Sequence, residues 1–237
     1  MLMPLVAVWI VAAAPPDKPT PRVKLVPTTA YTQRTVQGWP VWVNQRLLAA
    51  EQALGDQALL LLEAKLFEIR RALPPTAVKV LATVPIWLGV DDGHAPCAEY
   101  HPSREWLERN GYNPDKARCV EFGNARRFLD WSVPQPAMVL HELAHGYQDR
   151  LPAEAVAELE AAYQQAVKGG KYESVLHIGG KRQRHYALSN AKEYFAESTE
   201  ALYGTNDFYP FVRAELEQHD PEGYAVVRKL WRRGEAG

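Results

Sequence analysis

The stretch Pro136-Ala137-Met138-Val139-Leu140-His141-Glu142-Leu143-Ala144-His145-Gly146-Tyr147 decides how the rest of the chain is read. Apolar residues at helical spacing frame a His-Glu-x-x-His pattern. Four residues is about one helical turn, so His141 and His145 leave the same face and can offer two imidazole nitrogens to one tetrahedral metal. Glu142 projects beside that face, where it can accept a proton from metal-bound water without being a ligand. The apolar frame predicts a half-buried helix. Two unpaired imidazoles facing a core are costly unless something such as a metal satisfies them.

A zinc site of this kind needs a third protein ligand and leaves the fourth position open. The segment Tyr186-Ala187-Leu188-Ser189-Asn190-Ala191-Lys192-Glu193-Tyr194-Phe195-Ala196-Glu197-Ser198-Thr199-Glu200-Ala201-Leu202 offers one. Asn190 is placed to cap a helix on which Glu193 and Glu197, one turn apart, share a face with Ala201. Carboxylates on an inward helix face need partners, and a metal plus a ligand histidine supply them. Glu193 is therefore expected as the ligand and Glu197 as the carboxylate supporting it, with the reverse assignment still open.

These residues together carry a resemblance. His141-Glu142-x-x-His145 followed by Tyr186-x-x-x-Asn190-x-x-Glu193-x-Phe195-Ala196-Glu197 resembles the catalytic domain of anthrax lethal factor and its bacterial relatives, metallopeptidases of the gluzincin class. The match covers roughly residues 134–205. It implies a zincin-like domain binding one Zn2+ through His141, His145 and Glu193, with Glu142 as general base and Tyr186 assisting the transition state. Tyr100-His101-Pro102-Ser103-x-x-Trp106-Leu107 through Asn110-Gly111-Tyr112-Asn113-Pro114 and Cys119-Val120-Glu121 is similar to exported bacterial proteins of this type. That similarity implies one unit from about residue 23 to the C-terminus.

Upstream, the apolar run Met1-Leu2-Met3-Pro4-Leu5-Val6-Ala7-Val8-Trp9-Ile10-Val11-Ala12-Ala13-Ala14 ends in small residues and reads as an export signal over 1–14. No Lys or Arg precedes it, and a membrane helix or a misplaced start are the competing readings. The run falls short of the roughly 20 residues that span a bilayer, so no membrane span is expected after cleavage. Residues 15–30, rich in Pro and Thr, read as a linker, leaving 31–237 as one domain in a secreted, periplasmic or cell-surface protein. Cys97 and Cys119 are the only cysteines. An even pair in an exported chain is expected to form a disulfide rather than stay as two thiols. A formal net charge of -1 and a pI near 6.7 offer no field of one sign for nucleic acid or an anionic membrane surface; the expected partner, from the metallopeptidase resemblance, is a peptide or protein substrate.

The remaining elements fix the fold class. Residues 32–43 are β-branched and aromatic and suggest a strand. Residues 44–72 carry leucines at helical spacing, with Gly55 and Asp56 as a candidate break. Pro74-Pro75 closes that helix, residues 78–81 and 84–90 read as strands, 91–116 as a loop containing Cys97, and 119–122 as another strand. Strand, long helix, strands, helix and helix together indicate an α+β architecture with a small mixed sheet. Glu121 and its neighbours are expected to form the edge to which an extended peptide pairs. His94, His101, His177, His185 and His219 have no partner at helical spacing and are set aside as surface or structural, with His185 placed to line the cleft through its neighbour Tyr186. Trp39, Trp42, Trp87, Trp106, Trp131 and Trp231 are expected as packing anchors rather than a carbohydrate platform, an idea that exposed tryptophans would revive.

The chemistry can also be read otherwise. A binding or adhesion module could keep zinc as a structural element, although structural sites are closed by four protein ligands. A zinc amidase cutting a cell-wall peptide would use the same metal chemistry.

Overall fold

A computed structural model describes residues 25–92 and 97–234. The export signal expected over 1–14, the first part of the linker and His94 lie outside the described residues. The latter part of the linker is structured, closing in a 3-10 turn at Thr28–Ala30.

Residues 32–43 form a hairpin rather than a single strand. Strand β1 (Tyr31–Val36) turns back into β2 (Trp39–Asn44) through Gln37 and Gly38, both at positive φ (51° and 95°). Two consecutive left-handed residues suit the twist of a tight hairpin, and glycine adopts that geometry at little cost. Asn44 then caps the short helix α1 (Gln45–Leu48) by accepting from the Arg46 amide.

The long helix α2 (Gln52–Ala72) buries Leu54, Ala58, Leu62, Leu66 and Ile69 on one stripe. Each fully buried aliphatic side chain contributes about 1.5–3 kcal/mol. Gly55 does not break the helix. A Cβ there would meet the Leu47 carbonyl oxygen at 1.9 Å, so glycine lets α1 and α2 touch. The helix stops before Pro74, whose ring disfavours helical geometry in the preceding residue.

Residues 78–81 are not a strand. They belong to helix α3 (Pro75–Leu81), which opens on Pro75 and buries Ala77 and Leu81. Proline at a first helical position is preset for the helix, and that signal outweighs the short apolar run. The sheet continues with β3 (Ile86–Leu88), and the expected 91–116 loop holds β4 (Ala98–Tyr100), helix α4 (Arg104–Arg109) and a 3-10 turn at Pro114–Lys116. Then follow β5 (Val120–Phe122), α5 (Ala125–Trp131), α6 (Met138–Gln148) and α7 (Ala153–Gly169). The small hairpin β6 (Val175–Leu176) and β7 (Arg182–Gln183) precedes α8 (Ala191–Tyr203), α9 (Arg213–His219) and α10 (Pro221–Trp231).

The main sheet runs in the order β1-β2-β3-β5-β4. Its inner pairings β2–β3 and β3–β5 are parallel, while β1 and β4 join antiparallel at the two edges. The architecture is thus α+β with a small mixed sheet. Helix α6 packs against β4, β5, α2 and α3 on one side and α8 on the other. Trp231 braces that helix pair: its ring stacks 4.2 Å from Tyr147 and 5.6 Å from Phe195, and its indole N–H donates to Thr199 Oγ1 at 2.8 Å. No helix among the described residues is long and apolar enough to cross a membrane.

The disulfide expected between Cys97 and Cys119 is absent, and both cysteines are free and buried. Cys97 sits in the main core with its sulfur 3.6 Å from Met138 Sδ. Cys119 belongs to a separate cluster with Tyr31 and Trp87, and its thiol donates to the Lys116 carbonyl. Each sulfur has its own packing environment, so an even count did not imply a pair. Burial pushes the Cys97 thiol up to about 12 and raises Cys119 as well, leaving both protonated and unreactive.

Candidate metal centre

Helices α6 and α8 bring His141, His145 and Glu193 to the floor of an open cleft of about 850 Å3. Glu193 Oε2 lies 3.1 Å from His141 Nε2 and 3.4 Å from His145 Nε2. Ligand atoms about 2.0–2.1 Å from a tetrahedral ion stand about 3.3 Å from one another, close to these two distances, and all three donor atoms lie within 4.8 Å of one another, so the set could hold a metal. Asn190 fixes the carboxylate: its Oδ1 accepts from the Lys192 amide at 2.9 Å and from the Glu193 amide at 3.1 Å, starting α8 so that Glu193 falls in its first turn.

Behind His141 lies the carboxylate that the sequence reading missed. Glu200 Oε1 stands 2.6 Å from His141 Nδ1, whereas Glu197 Oε1 is 3.6 Å away. At 2.6 Å the Glu200 pair is a hydrogen bond that makes Nδ1 the donor, so that Nε2, once it gives up its proton, would present its lone pair to the cleft. Glu200 therefore takes the supporting position expected of Glu197. His141, Glu197 and Glu200 also group within 4.8 Å, but the short Nδ1 contact suits a hydrogen bond and not two ligands of one ion. Glu197 is buried, its Oε2 has no hydrogen-bond partner among the described residues, and it faces His185 Nδ1 at 3.7 Å.

Charge follows this geometry. Burial opposes a charged His141, yet hydrogen bonds to Glu193 and Glu200 outweigh it and raise the imidazole well above its ordinary value. Burial likewise opposes Glu193, but the two histidines hold its carboxyl far below the usual range. Glu197 and Glu200 are pushed up by burial, Glu197 also by the charge of Glu200, with His141 opposing on both. No lysine or arginine pairs with Glu193, Glu197 or Glu200 in an ion pair among the described residues.

Glu142 lines the same cleft from the next position on α6. Tyr186 stands opposite, 50% exposed, its ring 6.5 Å from that of His141. Partial burial and the charge of Glu193 raise its hydroxyl, keeping it a donor at neutral pH. His185, buried rather than lining the cleft, holds the turn carrying Tyr186: its Nδ1 accepts from the Ala187 amide at 3.1 Å and its ring stacks on Phe208. Burial depresses its pKa to about 3, so the ring is neutral and Nδ1 free to accept.

The cleft edge is not where the sequence placed it. Glu121 is 1% exposed on β5, between β3 and β4, and its carboxylate binds Lys116 and, at 2.8 Å, His101 Nε2. The edge strand is β4, whose Ala98, Glu99 and Tyr100 line the cleft. Tryptophans separate too. Trp39, Trp87 and Trp231 are buried and Trp42 is partly so, but Trp106 and Trp131 are 45% and 38% exposed, and both line the cleft. Of the other histidines set aside, those among the described residues are structural: His101 is buried against Glu121, His177 pairs with Asp207 at 3.5 Å, and His219 packs on Tyr172 and Tyr209.

No protein-family model, curated protein or solved structure matches this chain. A functional reading therefore rests on the geometry of the cleft and the motifs in the sequence.

Proposed function

We propose that this chain is a zinc-dependent endopeptidase of zincin-like architecture, akin to the gluzincins its motifs resemble. The observation that carries the reading is the donor set His141 Nε2, His145 Nε2 and Glu193 Oε2, gathered within 4.8 Å on the floor of an open cleft. Three protein donors and an accessible fourth direction fit a catalytic site better than a closed structural one. Secretion rests on the apolar run at 1–14 alone, because the free cysteines lend it no support.

Zinc bound by these residues would supply Lewis acidity and lower the pKa of its water to about 7. The protein's own groups then do the following. Glu142 takes the proton of the attacking water and passes it to the leaving amine. Tyr186 donates a hydrogen bond to the oxygen that gains negative charge, an interaction worth on the order of 3 kcal/mol at the transition state. Glu200 holds the His141 ring in its tautomer, and Asn190 holds the start of α8 and with it Glu193. An extended substrate adds to the free edge of β4.

The test is cleavage of a mixed peptide pool followed by mass spectrometry. Zinc-loaded wild type is expected to cleave and chelator-stripped protein not to. Glu142→Gln should keep its zinc and lose about 10²–10⁴-fold in rate, since an amide cannot accept the proton. Undiminished cleavage by Glu142→Gln, or by metal-free protein, would contradict the proposal.

A further inference from the structure

We infer that the cleft grips an extended peptide by two large apolar side chains, one on each side of the bond that is cut; this rests on the peptidase reading above. The exposed indoles Trp106 and Trp131 face this one cleft rather than being scattered over the surface. Exposed apolar groups concentrated at a concave site mark a binding surface rather than a packing residue.

The two indoles sit at opposite ends of the cleft. Trp131 ends α5 and leads into α6, the Gln135 amide donating to the Trp131 carbonyl at 2.9 Å and the Met138 amide to the Gln135 carbonyl at 3.2 Å. Trp131 thus forms a pad at the N-terminal end of α6, where Met138, 6% exposed, also borders the cleft. Strand β4 runs the same way as α6, because Cys97 ahead of it touches Met138 while the Tyr100 hydroxyl donates to Asp149 at 2.9 Å. Trp106 lies beyond the end of that strand, its ring 5.3 Å from Tyr112, which is in turn 5.4 Å from His101. Leu151 and the exposed Val156 line the cleft at this second end. His141, His145 and Glu193 lie between the pads.

Spacing gives the length of peptide. From Met138 to Gln148, both lining the cleft, α6 advances about 15 Å at about 1.5 Å per residue. An extended chain covers that in four to five residues at about 3.3 Å each. Chemistry gives its character. Val156 and the half-buried Leu151 on the Trp106 side offer aliphatic surface, so the pads suit Leu, Met, Phe or Trp side chains; Ser103 and Gln135 also border the cleft, and a glycan strand is the competing ligand in the test below.

The experiment uses the full chain as zinc-loaded Glu142→Gln, with labelled eight-residue peptides followed by fluorescence anisotropy. A peptide with two large apolar residues five positions apart should bind about a hundredfold tighter than the same peptide with serine at both. Trp131→Ala and Trp106→Ala should each weaken binding about tenfold, and each should abolish the preference at a different peptide position. Zinc content equal to the parent shows that each variant is folded at the site. Equal binding of the apolar and serine peptides, unchanged binding by both tryptophan variants, or tighter binding of a soluble glycan strand would overturn the inference. Wild-type cleavage of the same peptides separates the two proposals: cutting without anchor dependence sinks this inference alone, and anchor-dependent binding without cutting sinks the peptidase reading.

Discussion

Two clusters of buried charge, one on the sheet and one between α6 and α8, are built from similar residues and end differently. On the sheet, Lys116 Nζ lies 2.7 Å from Asp92 Oδ2 and also binds Glu121, which is held by His101, while the Tyr31 hydroxyl donates to Asp92. Between the helices, Glu193, Glu197 and Glu200 gather around His141 and His145 with no lysine or arginine pairing with them among the described residues. The first cluster carries its own cation. The second has only histidines as partners for its three carboxylates, among the described residues, and three of its donor atoms lie within 4.8 Å of one another in the arrangement proposed above to hold a metal. Buried carboxylates alone therefore do not point to a metal centre; what points to one is convergence with histidine nitrogens and no paired lysine or arginine.

The largest expected effect breaks the sheet cluster. Lys116→Met strands two buried carboxylates and should cost about 3–5 kcal/mol of stability in chemical denaturation while leaving zinc stoichiometry unchanged. A cost below about 1 kcal/mol would show that Lys116 does not close this cluster. A smaller effect sharpens the other side. Glu200→Gln weakens the acceptor that orients His141 and should lower zinc affinity by about 10–100-fold in a chelator competition, with Glu197→Gln milder. The reverse order would return the supporting role to Glu197. The smallest effect concerns the two buried sulfurs. Cys97 and Cys119 should resist alkylation in the folded protein and both react after unfolding without reductant, and a mass showing a closed disulfide would contradict this.

The site was more legible than the frame around it. The spacing of His141 and His145, and the cap at Asn190 ahead of Glu193, are local helical geometry that a sequence carries directly. Glu200 was legible in principle, because Glu193, Glu197 and Glu200 repeat at i, i+4 and i+7 on one face, but choosing among them required knowing where α6 lies. Edge strand β4 spans only Ala98–Tyr100, too few residues for an alternation to register. Residues 78–81 are ambiguous in sequence because a short β-branched run suits a strand or a buried helix, and Pro75 opens a helix where Pro74-Pro75 also suits the end of one. Cysteine parity says nothing about distance, and exposure of Trp106 and Trp131 depends on tertiary packing that composition does not encode.

Metal binding by the stripped protein tests the central claim most directly. Wild type should take up about one zinc per chain, and His145→Ala and Glu193→Ala should each lose that tight binding while keeping the fold by circular dichroism. Equal zinc affinity in wild type and both variants would show that the convergence of His141, His145 and Glu193 is a charged cluster of the fold and not a metal centre.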